Sequence, residues 1–264
     1  MFSTLAIRTN MGSGSGFIFN AIRGEAIAPL LITNKHVVRS CDAISLRFHL
    51  GTNNVPNGKT HTVSMSPFFW IDHPNPEIDL CAIPLLPYLE SIQKQGLQHF
   101  YIGLRGDNLP TADQVAQLSA IESVTMVGYP TGLADHVNNL PIMRRGVTAN
   151  HPAIDFDGKP EGVVDMACFP GSSGSPIFVL NEGMYQDRDG GTVIGTRGFL
   201  LGVLYGGPIM QADGHIQVRS IPTAQVPVAV TQMMIHLGYY VKAREVQVLA
   251  QHILDQANLP PSQP

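Results

Sequence analysis

The chain has 264 residues, 44% hydrophobic and 14% charged, which suits a folded protein with a sizeable core and excludes a disordered one. A net charge of −4 gives no general electrostatic reason to bind nucleic acid or an anionic membrane surface. Three cysteines, Cys41, Cys81 and Cys168, lack CxxC or His-rich spacing, which argues against a disulfide framework or zinc site and for thiols in a reducing, cytoplasmic setting.

No apolar run approaches the roughly 20 residues of a membrane span. The N-terminus, MFSTLAIRTNMGSGSGF, lacks the basic and apolar regions of a secretory signal. GSGSG at 12–16 superficially suggests a phosphate loop, but it has no preceding strand, no following helix and no P-loop lysine.

Short β-type runs follow, separated by Gly, Asn and Pro: GFIFNAI, PLLITN, AISLRFHL, HTVSMSPFFWI and DLCAIPL. This spacing predicts an all-β sandwich or barrel. Residues 88–120 are more polar, and LPTADQVAQLSAI carries helical periodicity after a Thr or Asp cap, which marks a connector. Strand signals resume in SVTMVGYP, IMRRGVTA, GVVDMACF, SPIFVL, GGTVIGTRGFLLGVLYGG and GHIQVRSI, with Arg144 and Arg145 expected in a solvated turn. The long polar stretch 133–162 is expected to be a loop that shapes or gates a site.

Two helices are expected at the end of the chain. One has Val226, Val230, Met233 and Leu237 at helical spacing, with Pro227 in its first turn and Gly238 as its stop. The other places Val246, Leu249, Ala250, Ile253 and Leu254 on one face. The tail LPPSQP is expected to fray.

CFPGSSGSPIF, at 168–178, holds Ser172, Ser173 and Ser175 in a Gly-rich turn before an apolar run. A hydroxyl attacks at neutral pH only with a base beside it, a group that orients the base, and donors for the developing oxyanion. Two other stretches can supply the partners. His36 ends a β-run in LLITNKHVV, and Asp79 opens an alternating strand in PEIDLCAIPL, where Leu80, Ala82 and Pro84 point one way and Cys81, Ile83 and Leu85 the other. Asp72 is the rival carboxylate, but it lies in a Pro-rich turn rather than before a strand. The G-x-S-x-G pattern fails because position 175 is Ser.

Together these stretches resemble the chymotrypsin-fold (trypsin-like) serine peptidases, and within them the bacterial HtrA-type and glutamyl-endopeptidase-like branches. LITNKHVV is similar to the family's T-x-x-H-V block, EIDLCAIPL to its D-[IL]-A-[LV] block and PGSSGSP to its G-x-S-G-[GS]-P block. The order His, Asp, Ser is that fold's order. GSGSGFIF resembles the opening strand and LLGVLYGG the substrate-pairing strand.

The resemblance implies an all-β fold of two six-stranded antiparallel barrels with C-terminal helices. The expected divisions are residues 1–120 (first barrel and connector), 121–223 (second barrel) and 224–264 (helical segment and tail). It makes Ser173 the nucleophile, His36 the base and Asp79 the orienting acid, with Gly171 and Ser173 N–H as the oxyanion hole. Ala167 and Cys168 stand at the expected specificity pocket, Gly206 at its wall, and Leu204, Tyr205 and Gly206 pair with substrate backbone.

An acid is absent at the pocket base, so small or medium uncharged residues are expected before the cut bond, and basic ones are disfavoured. Glutamate would need a cation or histidine there, for which His151 and His215 are candidates. Ser172 stands where secreted relatives carry an activation aspartate, so zymogen cleavage is not expected. The PDZ domain usual in HtrA-type proteins is not expected. Nothing calls for a metal or organic cofactor. The expected partners are a polypeptide substrate and a possible regulatory protein. The alternative is a latent or non-catalytic peptide-binding protein of the same fold whose loop 168–172 needs a partner to order it.

Overall fold

Period-2 apolar patterning builds most of the chain into strands. The computed structural model describes residues 1–215 and 228–257. The N-terminal half holds β1 (Thr4–Thr9), β2 (Ser13–Arg23), β3 (Ala26–Thr33), β4 (Ile44–Thr52) and β5 (Val55–Met65). The short strands β6 (Ile71–Asp72), β7 (Cys81–Pro84) and β8 (His99–Phe100) complete it. They form one eight-stranded sheet in the order β5-β4-β1-β2-β3-β7-β6, with β8 on β4. Three short helices punctuate this half and its connector: α1 (Lys35–Val38), α2 (Leu86–Lys94) and α3 (Ala112–Ala116). Thr111 caps α3 by accepting the Gln114 N–H at 3.2 Å.

The second half contributes β9 (Ser123–Gly128), β10 (Ile142–Thr148), β11 (Glu161–Asp165) and β12 (Pro176–Asn181). A small hairpin, β13 (Met184–Gln186) and β14 (Thr192–Ile194), leads into β15 (Arg197–Gly206). A second hairpin, β16 (Ile209–His215) and β17 (Val228–Met234), precedes β18 (Leu237–Lys242) and the terminal helix α4 (Ala243–Ala257). Strands β10-β11-β18-β15-β12-β9 close into a six-stranded barrel. Its interior is lined by alternate residues, among them Val124, Met126, Ile177, Val179 and Tyr240.

Several expectations need correction. Among the described residues only the C-terminal barrel closes. The N-terminal sheet ends at β5, whose first half is exposed, and at β6, which offers just two residues, and among the described residues no ladder joins its edges. The helix expected over 226–238 is two strands instead: β17 and β18 occupy it except for the link at Ile235 and His236, and Val226 and Pro227 lie outside the described residues. The barrel requires β18 between β11 and β15, and that non-local pairing overrides a local apolar spacing that fits either period. Among the described residues the C-terminal segment therefore holds one helix, α4, and LPPSQP lies outside them. The stretch 133–162 is no single loop, because β10 runs through it, paired with β9 and β11. Arg144 and Arg145 accordingly sit in a strand rather than a turn.

The outer faces of the two halves share a core with α4. Phe17, Phe19, Leu30, Ile32, Leu80 and Ala82 meet Leu200, Val203 and Val241 and the helix residues Val246, Leu249 and Ile253. Cys81, Ile83 and Leu85 face the other way, into the N-terminal sheet's own core. The strand that follows Asp79 is thus buried on both sides. Replacing Leu249, which is fully buried, by alanine should cost about 2–5 kcal/mol in urea unfolding. A loss below about 1 kcal/mol would make α4 peripheral to the core.

Candidate active site

Four consecutive residues, from the last of β3 into α1, tie the candidate base to its surroundings. Thr33 Oγ1 donates to the Ser15 carbonyl at 2.8 Å, and Asn34, buried at the N-cap of α1, donates to the Asp79 carbonyl at 2.7 Å. Lys35 is buried and its Nζ reaches the Asn75 and Pro76 carbonyls, which holds down the loop that carries Asp79. His36 then presents Nδ1 to Asp79 Oδ2 at 2.5 Å, and its backbone N–H to Oδ1 at 3.3 Å. Burial alone would raise the Asp79 carboxyl. The hydrogen bond and charge of His36, with backbone donors from His36 and Lys35, outweigh it and hold the group below its ordinary value. The rival Asp72 is occupied elsewhere, accepting from Arg39 at 2.9 Å and from the Trp70 indole at 3.0 Å.

The serine turn reaches the same place from the second barrel. Ser172 and Ser175 are fully buried and their hydroxyls have no partner among the described residues, whereas Ser173 is half-buried. The Ser15 N–H donates to the Ser173 carbonyl at 2.8 Å, which joins the turn to β2 and, through Thr33, to the strand that leads into His36. No hydrogen bond joins Ser173 to His36: the Ser173 hydroxyl donates to the Tyr205 carbonyl at 3.3 Å.

The backbone of the turn is held almost completely. Ser172 N–H donates to Phe169, Gly174 N–H to Leu204, and Ser175 N–H to Ser172. Among the described residues, the N–H groups of Gly171 and Ser173 alone, between 171 and 175, have no acceptor. These are the two donors the sequence resemblance implies for an oxyanion. Gly171 has φ +86, in the region that favours glycine, and a Cβ there would stand 2.8 Å from the Tyr129 carbonyl.

The expected specificity residues lie together with one addition. Ala167 is half-buried, and its carbonyl accepts from Arg144 Nη1 at 2.9 Å. The Arg144 guanidinium lies over the Phe169 ring, 4.8 Å from its centroid. Burial pushes the Cys168 thiol up to about 11, against the opposing pull of Arg144. Cys168 Sγ and Leu204 Cδ1 stand 2.5 and 2.7 Å from where a Cβ on Gly238 would be, so little space remains there.

Leu204 is buried, and its backbone is used inside the barrel: its N–H donates to Ser175 and its carbonyl accepts from Gly174. It therefore has no backbone group left for a substrate, and only Tyr205 and Gly206 remain of that trio. Tyr205 is anchored by its hydroxyl, which donates to Glu161 at 2.7 Å. A Cβ on Gly206 would meet nothing. His151 accepts from the Ala153 N–H in its own loop, and the His215 side chain lies outside the described residues.

Sequence reasoning missed Ser15, Asn34, Tyr129, Thr131 and Arg144. Only Ser15 carried a signal, as the middle of GSGSG. Among the described residues no group of three His, Cys, Asp or Glu could hold a metal ion. No helix among them is long and apolar enough to cross a membrane.

A family model described as a trypsin-like peptidase domain matches residues 14–185. No curated protein matches in sequence. Among solved structures, an inactive-form mutant of Rv3671c from M. tuberculosis H37Rv is 16% identical, with 98% of this chain and 88% of that chain covered and a TM-score of 0.46. The MamO protease domain from Magnetospirillum magneticum, in its apo form, is 16% identical, with 95% of each chain covered and a TM-score of 0.46. A scabies mite inactivated protease paralogue, S-I1, is 13% identical, with 97% and 96% covered and a TM-score of 0.49.

Proposed function

We propose that this chain, which belongs to the trypsin-like peptidase domain family, is a serine endopeptidase that works through His36, Asp79 and Ser173. Its motifs put it nearest the HtrA-type and glutamyl-endopeptidase-like branches. One observation carries the reading: among the described residues the turn leaves the Gly171 and Ser173 N–H groups without acceptors beside the candidate hydroxyl, with an imidazole and carboxylate paired in the other half.

In the reaction, the Ser173 hydroxyl leaves Tyr205 and gives its proton to His36 Nε2 as Oγ bonds to the substrate carbonyl carbon. Asp79 keeps the ring proton on Nδ1 and stabilises the imidazolium. The carbonyl oxygen becomes an oxyanion and takes hydrogen bonds from Gly171 and Ser173 N–H. His36 returns the proton to the leaving amine, which breaks the peptide bond and leaves an acyl-Ser173. Water, deprotonated by His36, then releases the acid.

The residue before the cut bond is small or medium and uncharged. Cys168 and Leu204 restrict the space beside Gly238, and Arg144 at Ala167 repels a basic side chain. Digestion of a peptide library, read by mass spectrometry, should give cuts after Ala, Ser, Val or Thr and at least about a hundredfold fewer after Lys or Arg, equivalent to about 2.7 kcal/mol. Preferred cleavage after Lys or Arg would overturn the specificity, and no cleavage of any peptide would count against the enzyme itself.

A further inference from the structure

We propose that Ser15, on β2 of the N-terminal sheet, is a positioning residue that holds the oxyanion turn assembled, an inference that rests on the peptidase reading above. Ser15 is fully buried, and all its polar groups are engaged. Its hydroxyl accepts the Tyr129 N–H at 2.9 Å and donates to the Gly171 carbonyl at 2.9 Å. Its N–H holds the Ser173 carbonyl at 2.8 Å, and its carbonyl takes the Thr33 hydroxyl at 2.8 Å.

A trans peptide points its C=O and N–H in opposite directions, so fixing one aims the other. Through the Gly171 and Ser173 carbonyls Ser15 fixes the two peptide planes that carry the Ser172 and Gly174 N–H groups, so the Ser172–Ser173 peptide between them, which bears the Ser173 N–H, is held at both ends. The plane before Gly171 is fixed by the same neighbourhood: the Thr131 N–H donates to the Pro170 carbonyl at 2.6 Å, which turns the Gly171 N–H the other way. Thr131 makes this contact at φ +50, a left-handed conformation unusual for threonine. Ser172, next to the nucleophile, cannot do the holding, because its hydroxyl has no partner among the described residues.

This assigns a purpose to GSGSG. A Cβ on Gly14 would stand 2.5 Å from Val37 Cγ1, so the start of β2 can press against α1 only without a side chain there. From the other side, a Cβ on Gly174 would stand 1.9 Å from the Ser15 carbonyl. The glycines on both faces let Ser15 sit directly beneath the turn.

Thr148 supplies a matched control away from the site, since its hydroxyl also bridges a backbone pair, accepting from Glu122 N–H at 2.8 Å and donating to the Ala120 carbonyl at 2.7 Å. The test compares Ser15→Ala, Ser15→Cys and Thr148→Val with wild type on a tetrapeptide thiobenzyl ester ending in alanine, with urea unfolding in parallel. Ser15→Ala should lower kcat about ten- to a hundredfold, with KM within about threefold, because oxyanion donors lose alignment while ground-state binding stays. The midpoint of its pH–kcat/KM profile should not move, because His36 and Asp79 are untouched. Ser15→Cys, which keeps a weaker donor, should fall between and covers the case in which the alanine variant fails to fold. Thr148→Val should lose comparable stability yet keep kcat within about twofold. Ser15 variants that keep kcat within about twofold, or that change KM alone, would overturn the proposal. A wild type that hydrolyses no ester would instead overturn the peptidase reading, and the positioning role with it.

Discussion

Ser173→Ala is expected to lower kcat for peptide hydrolysis about a millionfold, with little change in stability. The hydroxyl is the atom that bonds to the substrate carbon, and neither neighbouring serine can replace it, because Ser172 and Ser175 are fully buried. What survives is the Gly171 and Ser173 N–H groups and the remaining substrate contacts, which still leave a rate above that of water. The folded state loses only a half-buried hydroxyl and one 3.3 Å hydrogen bond to Tyr205, so urea unfolding should change by no more than about 1 kcal/mol. His36→Ala should cause a loss of the same order, and the double variant should be no worse than either alone, because the two residues act as a unit. Single-turnover kinetics with a thioester substrate would check this. Retention of more than about 1% of the wild-type rate in Ser173→Ala would place the nucleophile elsewhere.

The second large effect is at Asp79. Asp79→Asn keeps the shape of the loop but should lower kcat about ten-thousandfold. The carboxylate accepts the Nδ1 proton at 2.5 Å and leaves Nε2 free to accept from Ser173. An amide presents a donor to the same nitrogen, which favours the opposite tautomer. The same substitution has a consequence for stability against pH. The Asp79 carboxyl titrates below its ordinary value in the folded protein, so its contribution is fully present above the unfolded value, near pH ~4. It is lost as pH falls through the lower folded value. Urea midpoints at pH 6 and below pH 4 should therefore differ less in Asp79→Asn than in wild type. An equal difference would mean that the pair contributes nothing to the acid limb.

The motifs of the candidate site were legible because each is local. LITNKHVV marks the end of a strand, which stops at Thr33 and passes through Asn34 into α1 with His36, and the alternation after Asp79 splits as its side chains do, with Leu80 and Ala82 on the shared core and Cys81 and Ile83 on the other. What escaped depends on pairing at a distance. Val226, Val230, Met233 and Leu237 match a helical spacing, but Val230 and Met233 fall in β17, which pairs with β16, and Leu237 opens β18, which closes the barrel between β11 and β15. The open N-terminal sheet likewise follows from the edge strands β5 and β6, whose exposure and length only the assembled sheet reveals. Ser15 lies 156 residues from the carbonyl its hydroxyl holds, so GSGSG could be shown not to be a phosphate loop without disclosing what it is for. Arg144 was missed for the opposite reason: two adjacent arginines suggest solvent, yet one of them packs on Phe169 beneath the candidate pocket.

The peptidase reading, with Ser173 on an assembled turn, is tested most directly by a fluorophosphonate probe, which phosphorylates a serine only where a base takes its proton and an oxyanion is stabilised. Pure wild-type protein should be labelled stoichiometrically, mass spectrometry should place the adduct on Ser173, and Ser173→Ala and His36→Ala should both stay unlabelled. A folded wild type that takes no label, or a label on another serine that persists in both variants, would contradict it.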